Sequence, residues 1–261
     1  LLVTRISGAD VWGIFALCIA VLHISSIFGI LGVDLTLVKY IATFKNNMSK
    51  VSRIYLQGTK IVFICSFCVS IFIYFFSDTL ASYIFDKPNL AEYFRIISFV
   101  ILPFSLFSMN AQSFRGLKRI KEFAIYQHLL RFLFSVIFFL IFINYTNINL
   151  ETSPLYAFLF SIMLTLLLST IHFNKIINIE FCWKNIITNS ELLKTSFPMM
   201  LATSIVLIMS WADTIMIGMF LPDTSQVGIY NGGFRIAMIT GIILGAINSI
   251  VAPKISETYN S

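Results

Sequence analysis

Seven long apolar blocks, covering 11–36, 58–77, 94–114, 123–145, 154–173, 196–220 and 228–252, constrain this 261-residue chain more than any other feature. A helix rises about 1.5 Å per residue, so roughly 20 apolar residues cross a bilayer core of about 30 Å. Each block is long enough. Lipid offers no partner for backbone N–H and C=O groups, so a crossing segment must bond internally, as a helix does. Barrel strands would alternate with period two, and these blocks do not. The blocks predict an all-α fold, a polytopic transmembrane helix bundle. Residues 1–4 read as the stub of an earlier helix, which points to a fragment lacking its first helix.

Composition agrees. Hydrophobic residues make up 58% of the chain and charged residues 11%, against about 25% charged in soluble domains. The net charge of +6 does not indicate nucleic acid, because the basic residues sit in short connections rather than on one soluble face. Cys18, Cys65 and Cys68 lie inside apolar blocks and Cys182 outside them, which argues against a disulfide framework. Cys65 and Cys68 have no second pair that would complete a zinc site. No metal and no cofactor is expected.

Loop charge gives orientation. Lys39, Lys45, Lys50, Arg53 and Lys60, then Arg115, Lys118, Arg119 and Lys121, then Lys175, Lys184 and Lys194, then Lys254, fall in one set of alternate connections, 13 of the 18 basic residues. The opposite set holds Arg5, Lys87 and Arg95 among the acids Asp10, Asp78, Asp86, Glu92, Glu151 and Asp223. Basic loops stay inside. The segment 39–60 and the chain end are therefore expected in the cytoplasm.

A short repeat is visible. Val11-Trp12-Gly13-Ile14-Phe15 with Leu31-Gly32 is matched by Val227-Gly228-Ile229-Tyr230 with Leu244-Gly245. Both copies run from an outer to an inner loop, the pattern of a parallel repeat in a two-lobed transporter. This predicts a first transmembrane lobe over 1–195 (the stub plus helices two to six) and the start of a second over 196–261 (helices seven and eight).

The sequence also resembles a known family. Arg5-Ile6-Ser7-Gly8 with Trp12-Gly13-Ile14-Phe15-Ala16, Leu31-Gly32-Val33-Asp34 through Lys39-Tyr40-Ile41-Ala42, Phe114-Arg115-Gly116-Leu117-Lys118, Phe197-Pro198 through Asp213, and Val227-Gly228-Ile229-Tyr230 with Pro253 form an ordered set. The set resembles Wzx-type O-antigen flippases, the polysaccharide-biosynthesis branch of the multidrug/oligosaccharidyl-lipid/polysaccharide exporter superfamily. The resemblance implies two lobes around a cavity in the bacterial inner membrane. It implies as substrate an oligosaccharide linked to undecaprenyl diphosphate. It further implies Na⁺ or H⁺ as coupling ion, membrane lipids as surroundings, and a polysaccharide polymerase and a chain-length regulator as partners. A drug/cation antiporter of the same superfamily and a lipid II flippase are the neighbouring readings. A membrane enzyme would need a cluster of polar groups at one outer face or a large loop.

Charges inside a bilayer are costly and mark sites. Arg131, about eight residues into its block, offers a fixed charge and a rigid donor fork suited to a diphosphate; the structural alternative is snorkelling to the inner headgroups. His128, three residues earlier, is expected on the same face. Arg5 is expected at the outer mouth of the cavity. Asp213 and Arg235 lie at similar depths on consecutive antiparallel helices and are expected to form an interhelical ion pair, either structural or coupled to opening. Asp34 is expected near the inner interface, and Trp211 against lipid or between helices.

Overall fold

The computed structural model describes residues 2–145, 149–177 and 188–238. Among them there is no strand, and six helices are long and apolar enough to cross a membrane. The chain is an all-α, multi-pass transmembrane bundle. We number its helices α1 (Leu2–Ile30), α2 (Val33–Thr43), α3 (Met48–Phe75), α4 (Leu90–Gly116), α5 (Ile120–Tyr145), α6 (Ser153–Ile177), α7 (Asn189–Phe220) and α8 (224–238). Helix α8 covers the described part of the seventh expected block; the remainder, 239–252, lies outside the described residues, as do Trp183 and Lys254.

Several helices extend past their apolar blocks. Helix α3 begins ten residues before its block at residue 58, with Asn47 accepting the Lys50 backbone N–H at 3.1 Å as its N-cap. Hydropathy measures contact with the bilayer, whereas Asn47 sets where helical hydrogen bonding starts. Helix α7 begins at Asn189, so Pro198 lies well inside it rather than near its start.

The first block is the reverse case. It stops at Ile30, because Leu31 (φ 52°) and Gly32 (φ 70°) occupy the left-handed region. A new helix, α2, then follows. A Cβ on Gly32 would lie 2.5 Å from the Ser196 carbonyl and 2.6 Å from the Met200 nitrogen. The turn therefore admits α7 at backbone distance, as glycine permits. Upstream, Gly8 (φ 91°) breaks α1 itself, leaving residues 2–7 as a separate helical piece.

Helix α4 is central. It packs against α1, α2, α3 and α6 and buries Phe94, Ile97, Ile101, Phe107 and Phe114 completely. Polar groups at this depth find partners on other helices, because lipid supplies none. Asn110 Nδ2 donates to Ser169 Oγ at 2.8 Å and Thr170 Oγ1 at 3.2 Å, and Tyr55 O–H donates to Asn110 Oδ1 at 3.4 Å, joining α3, α4 and α6. Helix α7 packs against α1 and α2, with Ser196 Oγ donating to Thr36 Oγ1 at 2.9 Å.

Candidate functional site

Five helices wall a cavity of about 320 Å³ in the outer half of the bundle, the half that loop charge assigns to the outside. Helix α1 contributes Trp12, Phe15, Ile19 and His23; α5 contributes Arg131, Ser135 and Phe139; α6 contributes Pro154 and Phe158; α7 and α8 contribute Trp211 and Arg235. Two guanidinium groups thus share one membrane-embedded space, and among the described residues its wall carries no carboxylate. Neither arginine forms an ion pair among the described residues.

Aromatic rings hold these cations. The Arg235 guanidinium lies 5.8 Å from the Trp12 ring and 6.0 Å from the Trp211 ring. The Arg131 guanidinium lies 5.0 Å from the Phe132 ring. A ring face carries partial negative charge and attracts a cation without cancelling it. His23 stacks on Trp211 at 5.0 Å and meets Phe104 edge-on at 5.2 Å. Two donors at this cavity, Arg131 Nε and Trp12 Nε1, are buried without a hydrogen-bond partner. An unmet buried donor costs about 1–3 kcal/mol, so the wall is built to receive acceptors.

Local backbone explains how Arg131 arrives there. Residues Ile125–Leu130 form a π-helical turn directly before it. Such turns are wound i→i+5 and recur at functional sites. Ser161 Oγ donates to the Arg131 carbonyl at 2.6 Å and ties this point to α6. The π turn also changes the expected register. His128 is exposed, meets Phe123 edge-on at 6.1 Å, and is not among the residues lining the cavity with Arg131. Three residues share a face in an α-helix, not across a wider turn.

The other expected residues fall as follows. Asp213 and Arg235 do not pair. Tyr230 O–H donates to Asp213 Oδ2 at 2.9 Å, Asn231 Nδ2 to Thr214 Oγ1 at 3.2 Å, and Arg235 Nε to Asn231 Oδ1 at 3.2 Å. The level of Asp213 therefore matches Tyr230, and Arg235 lies five residues, about 7.5 Å, deeper. Arg5 is exposed on the piece before Gly8 and does not line the cavity. Asp34 does not face the interface alone: it lines a second cavity of about 420 Å³ in the inner half, and His23 lines both cavities. Trp211, expected against lipid or between helices, walls the outer cavity, and Trp12 joins it there.

A further cavity, about 730 Å³, lies elsewhere, against α3, α4 and α6. Phe67, Ile71, Phe75, Phe99 and Leu167 line it, and no charged side chain does. Apolar walls of that kind suit hydrocarbon, not an ionic group.

Above the outer cavity, α1 and α8 cross at backbone distance. A Cβ on Gly13 would overlap the Thr224 carbonyl oxygen and lie 3.1 Å from Gly228 N; a Cβ on Gly228 would overlap the Ala9 carbonyl oxygen and lie 3.0 Å from Gly13 N. Each glycine meets the carbonyl four residues before the other. The contact is reciprocal, as across a two-fold axis, and it joins the glycines of the two sequence repeats. Beside it, Lys87 Nζ donates to the carbonyls of Gly218 at 2.6 Å and Leu221 at 2.7 Å, at the end of α7. A cation there also complements the helix dipole. Partial burial pulls the Lys87 ammonium below the ordinary lysine range, and the charges of Asp86 and Asp223 oppose that shift.

The family described as polysaccharide biosynthesis protein matches residues 1–259. No curated protein and no solved structure gives a match.

Proposed function

Because this chain belongs to the polysaccharide biosynthesis protein family, we propose that it flips a lipid-linked oligosaccharide across the bacterial inner membrane, as a transporter and not an enzyme. The observation that carries this reading is the outer cavity, where Arg131 and Arg235 stand together with no carboxylate on the wall among the described residues. Two like charges in low dielectric repel each other and are costly to bury. A diphosphate offsets both costs. Its oxygens supply acceptors for the two guanidinium forks and for the unmet donors Arg131 Nε and Trp12 Nε1.

The headgroup enters from the cytoplasmic side through the inner cavity, while the lipid tail remains in the bilayer. The first lobe covers 1–195 and the second begins near 196. The Gly13–Gly228 crossing and the Lys87 clasp close the outer side, and release requires both to part as the lobes rock. The membrane potential favours this direction: each negative charge moving outward from a negative interior gains about 2.3 kcal/mol per 100 mV, and a doubly charged diphosphate about twice that. Na⁺ or H⁺ coupling, O-antigen or capsular repeat units as cargo, and polymerase and chain-length-regulator partners extend the same reading.

A drug/cation antiporter would need an acidic chamber at this position. Vesicles containing the full chain separate the two readings. The flippase reading expects a labelled lipid-diphosphate sugar to change leaflets and a lipophilic organic cation not to accumulate. Cation accumulation without lipid translocation would overturn it.

A further inference from the structure

We propose that the inner cavity is a glycan subsite that accepts neutral or amino sugars and disfavours acidic ones, with Asp34 and Gln127 as the selecting residues. The inference rests on the flippase reading and deepens it. The cavity measures about 420 Å³, and Ser26, Asp34, Ser108, Gln112, Gln127 and Thr203 supply its polar wall. Phe104 and Ile27 supply apolar wall beside them. Hydroxyl and amide groups set around an apolar surface match a sugar ring, which carries hydroxyls about its rim and C–H groups on its faces.

The two cavities differ in sign. The arginines line the outer one, and among the described residues the one acidic side chain on the inner wall is Asp34. That carboxylate lies in the first turn of α2 and interacts with the Leu35 backbone N–H. Arg115 acts on it electrostatically, but Arg115 Nη1 makes its hydrogen bond to Gln112 Oε1 at 2.9 Å. Gln127 Oε1 is buried and has no hydrogen-bond partner. Gln127 Oε1 is thus an acceptor that calls for a donor, and Asp34 places its side-chain oxygens on the same wall. A sugar hydroxyl, amide N–H or ammonium donates to them. A sugar carboxylate brings further acceptors and puts a second acidic group into the same cavity.

Connectivity supports the assignment. A diphosphate and its first sugar are covalently joined, so their sites must be neighbours, and His23 lines both cavities. The π-helical turn Ile125–Leu130 places Gln127 on the inner wall, and Arg131, the residue after it, lines the outer one.

The test compares two lipid-diphosphate substrates that differ at one carbon, a hexose and the corresponding uronic acid, in vesicles containing the full chain. The readout is the ratio of their initial flipping rates. The unaltered chain should favour the hexose by on the order of ten-fold. Asp34→Asn should bring the ratio close to one, and Asp34→Glu should retain the preference. Should Asp34→Asn fail to fold, Gln127→Glu adds a second carboxylate and must raise the preference. Equal rates in the unaltered chain, or a ratio that neither Asp34→Asn nor Gln127→Glu moves, would overturn the subsite alone. Failure of the unaltered chain to flip either substrate would overturn the flippase reading and the subsite with it.

Discussion

Arg131 and Asp213 are both in-span charges, yet their surroundings assign them opposite sensitivities. Arg131 lines the outer cavity with Nε unpartnered. A hydrogen bond to a charged group is worth about 1.5–3 kcal/mol, so Arg131→Gln should slow flipping by about 10–100-fold. Arg131→Lys keeps the charge but loses the fork, and should fall between. Initial rates in vesicles, with protein shown to be folded by its elution profile, check both. Asp213 instead is exposed and accepts from Tyr230. Asp213→Asn keeps a carbonyl acceptor for Tyr230 and should stay within about three-fold of the unaltered rate; a loss as large as that of Arg131→Gln would restore the ion-pair reading with Arg235. The contrast shows what was legible. Arg131 stood out in sequence because a cation interrupts an apolar run. The partner of Arg235 did not, because a depth estimate tolerates an error of a helical turn and carries no azimuth. Trp12 and Trp211 gave no signal at all, since an aromatic ring near a span end reads equally as an interfacial anchor.

Helices obey the same limit. The order of the six described spans followed from apolar length, but their ends, and the separate helix α2, followed from capping and turn geometry. Asn47 extends α3 beyond its block, and Gly32 cuts the first block short. The π turn before Arg131 left no mark in the hydropathy pattern. The repeat, by contrast, was visible in sequence, and its glycines meet in the structure. That contact makes a prediction at the level of the element. Gly13→Ala and Gly228→Ala each place a methyl group against a carbonyl oxygen of the facing helix, and overpacking of this kind costs about 1–3 kcal/mol. The outer side should open more often. With the native cysteines replaced and Ser135→Cys introduced on the cavity wall, labelling by a membrane-impermeant thiol reagent added outside should rise about five-fold or more. Unchanged labelling would mean that the crossing does not seal the cavity. Lys87→Met, which removes the donors to Gly218 and Leu221, should raise the same signal.

At the scale of the whole molecule, two chambers of unlike polarity are stacked along the bundle, with arginines in the outer and amides, hydroxyls and Asp34 in the inner. The proposed transport moves net negative charge outward. Imposing an inside-negative potential of 100 mV on vesicles should therefore accelerate outward flipping, up to the limit set by about 2.3 kcal/mol per charge moved. A rate independent of potential would show that the headgroup carries no net charge through the field. The claim beneath all of this is that the diphosphate head occupies the space between Arg131 and Arg235. A photoreactive side chain at Ser135, on that wall, tests it directly when compared with one at lipid-exposed Phe99. Capture of a lipid-diphosphate sugar at 135, abolished by Arg131→Gln with Arg235→Gln and unaffected at 99, is the expected result. Capture at 135 that survives loss of both arginines would contradict the account.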